Sequence, residues 1–189
     1  MKTLLTILLT FFLLSLTGDN CPVKGNSKQP RLQHLDSLKN RTVISGKIHE
    51  LTWDSILMSG NDENRFKVNE YVSLTGYVLL VIPGQPETCN CKSSDKSDLD
   101  VHIEIVQILT DKSDKKDAMI IEVTRFFSQK DDRLTLDAIK KFKEKKVTVT
   151  GLMFYDEEHK HNSVNFGGTN LWRRTAWEIH PCISIIEVK

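Results

Sequence analysis

The chain has 189 residues, with 26 Lys or Arg against 25 Asp or Glu, for a formal charge of +1. Near neutrality excludes bulk electrostatic capture of duplex nucleic acid or of an anionic membrane surface, and leaves only a local patch to do so. The length, once a leader is set aside, suits one domain with some peripheral chain.

The leader is residues 1–18. Lys2 precedes an uncharged run from Leu4 to Leu16, and Thr17 and Gly18 close it. An early positive charge, a short apolar segment and small residues at its end have the form of a secretory signal peptide, and the run falls short of the roughly 20 apolar residues that a membrane-spanning helix needs. The protein is therefore expected to be secreted or periplasmic, cleaved near Gly18, with no transmembrane segment. Cys21 follows Gly18, Asp19 and Asn20 rather than the apolar and small residues usual before a lipidated cysteine, so lipid anchoring at Cys21 is not expected.

Residues 19–30 are polar, with Pro22, Gly25 and Pro30, and read as a flexible linker. Residues 31–70 read as an N-terminal extension packing on the main core. Leu32, Leu35 and Leu38 recur at helical spacing, and Thr52 can cap a short helix over 53–57.

Residues 71–189 form the main domain. Residues 71–82 (YVSLTGYVLLVI) predict a strand with Gly76 at a bulge or bend, ended by Pro83, Gly84 and Pro86. Residues 99–108 (LDVHIEIVQI) predict a second strand. Here Val101, Ile103 and Ile105 alternate with Asp100, His102 and Glu104, so an acid, an imidazole and a second acid share one face at about 6.5 Å spacing. Residues 118–127 predict a third strand, joined to the second as an antiparallel hairpin and carrying Glu122. A helix is expected over 135–146 with Thr135 as its cap, and its lysines read as a solvated face. Residues 146–155 predict a fourth strand that repeats the V-x-[LV]-T-G pattern of the first, with Gly151 at its bend. A long loop over 156–174 carries His159, His161 and Trp172-Arg173-Arg174, and residues 175–188 predict a last strand carrying WEIHP.

Three strands, a helix and two more strands, with matched glycines in the first and fourth, resemble the OB-fold, a five-stranded Greek-key barrel. The CNC, D-x-H-x-E and WEIHP motifs together also resemble an uncharacterised group of exported bacterial proteins. The fold class expected is all-β with one helix, an OB-fold-like barrel preceded by a short helical or irregular extension. The OB-fold resemblance implies a ligand surface on the outer face of the second and third strands, walled by the loops joining strands one to two and four to five. The residues implied as ligand-binding are Asp100, His102, Glu104 and Glu122 on that face, and Trp172, Arg173 and Arg174 in the wall.

Two chemistries compete at this face. His102, His159, His161 and His180, with Glu178, offer imidazole and carboxylate ligands for a divalent metal such as zinc, whereas the bland alternative makes His102 a cross-strand partner of Glu122 and His180 a satisfied structural residue. Aromatics and arginines in such a wall suit stacked nucleobases or an oligosaccharide, whereas the bland alternative pairs the arginines with Asp156, Glu157 or Glu158. The cysteines Cys21, Cys89, Cys91 and Cys182 allow three pairings, and Cys89 or Cys91 with Cys182 or Cys21 is preferred over a C-x-C metal site. No nucleophile motif, phosphate loop or cofactor fingerprint appears, so a binding module stands ahead of a metal-dependent hydrolase, with phosphodiesters among its substrates, and of a structural or protein-interaction role in the cell envelope. The ligand is left as an oligosaccharide, a nucleic acid or a protein segment.

Overall fold

A computed structural model describes residues 21–189, and the expected leader lies outside them. The strands are β1 (His49–Glu50), β2 (Tyr71–Pro83), β3 (Val101–Val106), β4 (Met119–Val123), β5 (Lys146–Tyr155) and β6 (Trp177–Glu187). The helices are α1 (Pro30–Lys39), α2 (Trp53–Leu57), α3 (Arg125–Ser128) and α4 (Leu136–Lys140). The strand order is β1-β2-β3-β4-β6-β5, and β5 returns to pair with β2, closing a five-stranded OB-fold-like barrel to which β1 adds a short edge. All pairs within the barrel are antiparallel except β4 with β6.

β2 closes the barrel because it is long enough to serve two neighbours. Tyr71 to Tyr77 pair with β5, and Tyr77 to Pro83 pair with β3. Gly76 sits at the changeover, where an added Cβ would lie 2.6 Å from Ile105 Cγ2 and 2.8 Å from the Trp53 ring, so only glycine lets the strand pass this close to its neighbours. Its counterpart Gly151 lies at a register shift between β5 and β6, where a Cβ would meet Ile179 Cγ2 at 2.6 Å. Val72, Leu74, Ile103, Ile105, Ile121, Val149 and Ile179 fill the interior, joined by Trp53 and Ile56 of α2 and Ile139 of α4.

Two local expectations are corrected. The third strand stops at Val123, and residues 125–128 form α3 although two phenylalanines favour extension. There Arg125 is buried and its guanidinium lies 4.5 Å from the Phe126 ring centroid, so tertiary packing overrides local propensity. The expected helix over 135–146 is shorter. Thr135 does accept the Ala138 amide as a cap, but α4 ends at Lys140 because Glu144 turns at φ 66° to donate its amide to Val78 O at 2.8 Å, committing the chain to the barrel.

The disulfide joins Cys21 to Cys91. Cys182 faces the barrel core and Cys89 is buried beside the outer face, so the two remaining thiols are free. Of the preferred pairings, the one with Cys182 is ruled out by the side of β6 on which it lies. The polar segment before α1 is tied down by this bridge and by the Asn26 amide bonding to Thr88 O at 3.0 Å.

Candidate functional site

The outer face of β3, β4 and β6 is built by register. His102 stands opposite Glu122 across β3 and β4, and Glu104 stands opposite Ile120, which in turn is level with Glu178 on β6. Because side chains alternate, His180 falls on the same face as Glu178. Asp100, directly before β3, continues the row of Glu104 and His102. Apart from Ile120 the face is therefore polar by strand periodicity alone, and α1 with two loops folds over it.

Between these elements lies a cavity of about 560 Å³. Gln85, Glu87 and Thr88 from the loop after β2 form one wall, Asp156, His159 and Trp172 from the loop after β5 form the other, and Leu32 and Lys39 of α1 form the roof. This is where the OB-fold resemblance implies the ligand surface to be, with the helix as an unanticipated cover.

The side chains around the cavity form one linked network. His102 Nδ1 lies 2.8 Å from Glu122 Oε1, and its Nε2 lies 3.8 Å from Glu104 Oε1. His180 Nδ1 lies 3.2 Å from Glu178 Oε2 and 3.5 Å from Glu122 Oε2, while its Nε2 lies 3.5 Å from Asp100 Oδ2. Arg173, fully buried, donates to Glu178 Oε1 at 2.6 Å and to Asp156 Oδ2 at 2.8 Å. His159 Nδ1 lies 2.9 Å from the same Asp156 oxygen. Lys39, also buried, donates to Glu87 Oε2 at 2.6 Å.

Titration follows this wiring. Burial alone would depress His102 and His180, but the adjoining carboxylates of Glu104 and Glu122 raise His102 to about 9, and those of Asp100, Glu178 and Glu122 raise His180 to about 10. Burial raises Glu122, partly offset by its bond to His102. Burial works against ionisation of Asp156 too, yet the His159 bond and the Arg173 charge hold it well below the usual carboxylate range. Lys39 is likewise held well above the usual lysine value, burial being outweighed by Glu87.

The residues singled out in the sequence thus divide. Asp100, His102, Glu104, Glu122, Glu178 and His180 come together in one cluster, and His159 joins across the cavity through Trp172, whose ring centroid is 6.2 Å from that of His102 and 5.8 Å from that of His159. His161 does not join them, because its ring packs on Phe166 at 4.8 Å. Arg173 is an internal counterion for Asp156 and Glu178, and Arg174 is directed to Leu57 O and to Asp117 at 3.7 Å. Neither arginine presents a charge to the cavity. His102 pairs with Glu122 as the bland alternative has it, as a half-buried member of a network.

Lys39 and Glu87 were not singled out, whereas the pairing of Arg173 with Asp156 is the bland alternative for the arginines. A lysine in the last turn of a helix normally marks its exposed end, and nothing local tells that Lys39 is folded inward. Of the ligand-capable groups, Asp100, Glu122 and His180 place one donor atom each within 4.8 Å of one another and can hold a metal. The buried Cys89 thiol lies 4.0 Å from Asp100 Oδ2 at the edge of this set. Among the described residues no helix is long and apolar enough to cross a membrane.

A scan of the chain against protein-family models gives no match, and a comparison with curated proteins gives none either.

Proposed function

We propose that the protein is an exported OB-fold-like binding module whose site is the cavity over β3 and β4, and that its ligand is a neutral, hydroxyl-rich molecule of the oligosaccharide class. The observation that carries this reading is a cavity of about 560 Å³ in which the half-buried Trp172 indole stands among Glu104, Glu122 and Glu158. Such carboxylates accept hydrogen bonds from hydroxyl groups, and an aromatic ring offers a sugar an apolar platform. A phosphate group would instead meet six carboxylates against Lys39 and Lys92, since the charge of Arg173 is taken up by Asp156 and Glu178. Export is supported by the leader pattern and by the disulfide Cys21–Cys91, a bridge suited to an oxidising compartment.

The test is calorimetric titration of the native protein and of Trp172→Ala with neutral oligosaccharides and, separately, with oligothymidylate of similar length. Saccharide binding that Trp172→Ala loses supports the proposal. Binding of the nucleotide alone would reverse it, and hydrolysis of ester or phosphodiester probes would favour the metal-dependent hydrolase. Binding of neither, with both proteins folded, would favour a structural or protein-interaction role.

A further inference from the structure

We infer that Asp100, Glu122 and His180 form a binding site for one divalent transition-metal ion beneath the cavity. The three residues come from the start of β3, from β4 and from β6, and their donor atoms lie within 4.8 Å of one another.

Two atoms of this set are buried and unpartnered. His180 is 0% exposed and its Nε2 makes no hydrogen bond, and Asp100 is 4% exposed with its Oδ1 equally unbonded. A buried polar atom without a partner carries its full desolvation cost, so two on adjoining side chains mark a place where something else belongs. The separation also fits an ion. Ligand atoms about 2.1 Å from a tetrahedral ion stand roughly 3.4 Å apart, and His180 Nε2 lies 3.5 Å from Asp100 Oδ2.

The surroundings orient the imidazole for this role. Its other nitrogen, Nδ1, lies 3.2 Å from Glu178 Oε2 and 3.5 Å from Glu122 Oε2, and Glu178, the nearer, is itself clamped by Arg173 at 2.6 Å. A carboxylate that accepts the Nδ1 proton fixes the ring plane and, once the incoming ion displaces the Nε2 proton, leaves Nε2 as the coordinating lone pair, the usual second-shell support of a metal-binding histidine. Arg173 thereby acts on the site only through Glu178, as a positioning residue.

Charge bookkeeping points the same way. The buried cations nearest the cluster are committed elsewhere, Lys39 to Glu87 and Arg173 to Asp156 and Glu178. Asp100 and Glu122 pair with imidazoles and with no Lys or Arg among the described residues, so a dication that displaces the His180 Nε2 proton supplies their counter-charge. A set of two carboxylates and one imidazole selects zinc or manganese over calcium, which takes oxygen ligands throughout. Three protein ligands leave a position open. Glu122 is the member of the three that also lines the cavity, so the open position is reached from there.

The experiment uses the full, tag-free chain, stripped with chelator and then titrated with zinc alone or manganese alone, with metal content measured after desalting. One equivalent per chain is expected. Asp100→Asn and Glu122→Gln, checked for native circular dichroism, should lose saturable uptake, and Glu178→Gln should bind on the order of 10–100-fold more weakly. Trp172→Ala and His161→Ala should load fully, which separates failure of this site from failure of the cavity's ligand. In the native protein, pulsed paramagnetic resonance of bound manganese should show one coordinated imidazole nitrogen. Failure of the native chain to take up either metal, absence of that nitrogen, or full loading of folded Asp100→Asn and Glu122→Gln would overturn the site.

Discussion

Arg173 lies 2.6 Å from Glu178 Oε1 with both side chains buried, and it reaches Asp156 from its other side. One guanidinium thus joins the loop after β5 to β6 and sets the position of the acid that touches His180. Removing one partner of a buried ion pair strands the other charge, at a cost of about 3–5 kcal/mol. Arg173→Ala is expected to lower stability by that order in urea denaturation. A loss below about 1 kcal/mol, as exposed pairs give, would show that the network is not structural.

Trp172 should behave differently from its neighbour. It is half-buried at the cavity wall, and Trp172→Ala is expected to cost about 2 kcal/mol or less, below the 3–5 kcal/mol of a fully buried large aromatic. Oligosaccharide binding should be lost while the thermal transition stays cooperative. Unfolding of Trp172→Ala at room temperature would make the indole a core element and remove it from the site.

Acid should weaken the fold through Asp156. Its carboxyl is held far below the ordinary range by His159 and Arg173 despite burial, so the folded state favours the ionised form. A depressed folded pKa gives stability that is present above the unfolded value of about 3.9 and is lost as pH falls from there towards the folded value. Asp156→Asn lacks that titration. The stability difference between native protein and Asp156→Asn, measured by urea denaturation at several pH values, should be constant from pH 6 to 5 and narrow below about 4. A gap that widens on acidification would contradict the assignment.

The bridge between Cys21 and Cys91 spans 70 residues of sequence. Closing a loop of that length stabilises by about 4 kcal/mol in the chain-entropy account. Cys21→Ser is therefore expected to lower stability by a few kcal/mol, and native protein treated with reductant should match it. Equal stability of oxidised and reduced protein would show that the bridge does not constrain the unfolded chain.

The leading parts of the fold were legible because they are local. A period of two marks the faces of β2, β3 and β5, and the paired glycines at 76 and 151 mark where strands pass too closely for a side chain. The same period put Asp100, His102 and Glu104 on one face before any contact was known. Residues 125–128 were misread because phenylalanine favours strands, whereas the burial of Arg125 that turns them into a helix is a tertiary event.

The sequence by itself determined the barrel's element order and the polar side of its second strand, since both depend on alternation and turn chemistry between near neighbours. Only the tertiary structure decided the cluster. The parallel register of β4 and β6 brings Glu178 level with Ile120 and so sets His180 beside Glu122, and α1 folds Lys39 inward to Glu87. It also turned Arg173 inward and left His161 on Phe166. Partners as far apart as Glu122 and His180, or Lys39 and Glu87, share no local pattern, because their meeting is set by strand pairing and loop packing, which no short window of residues encodes.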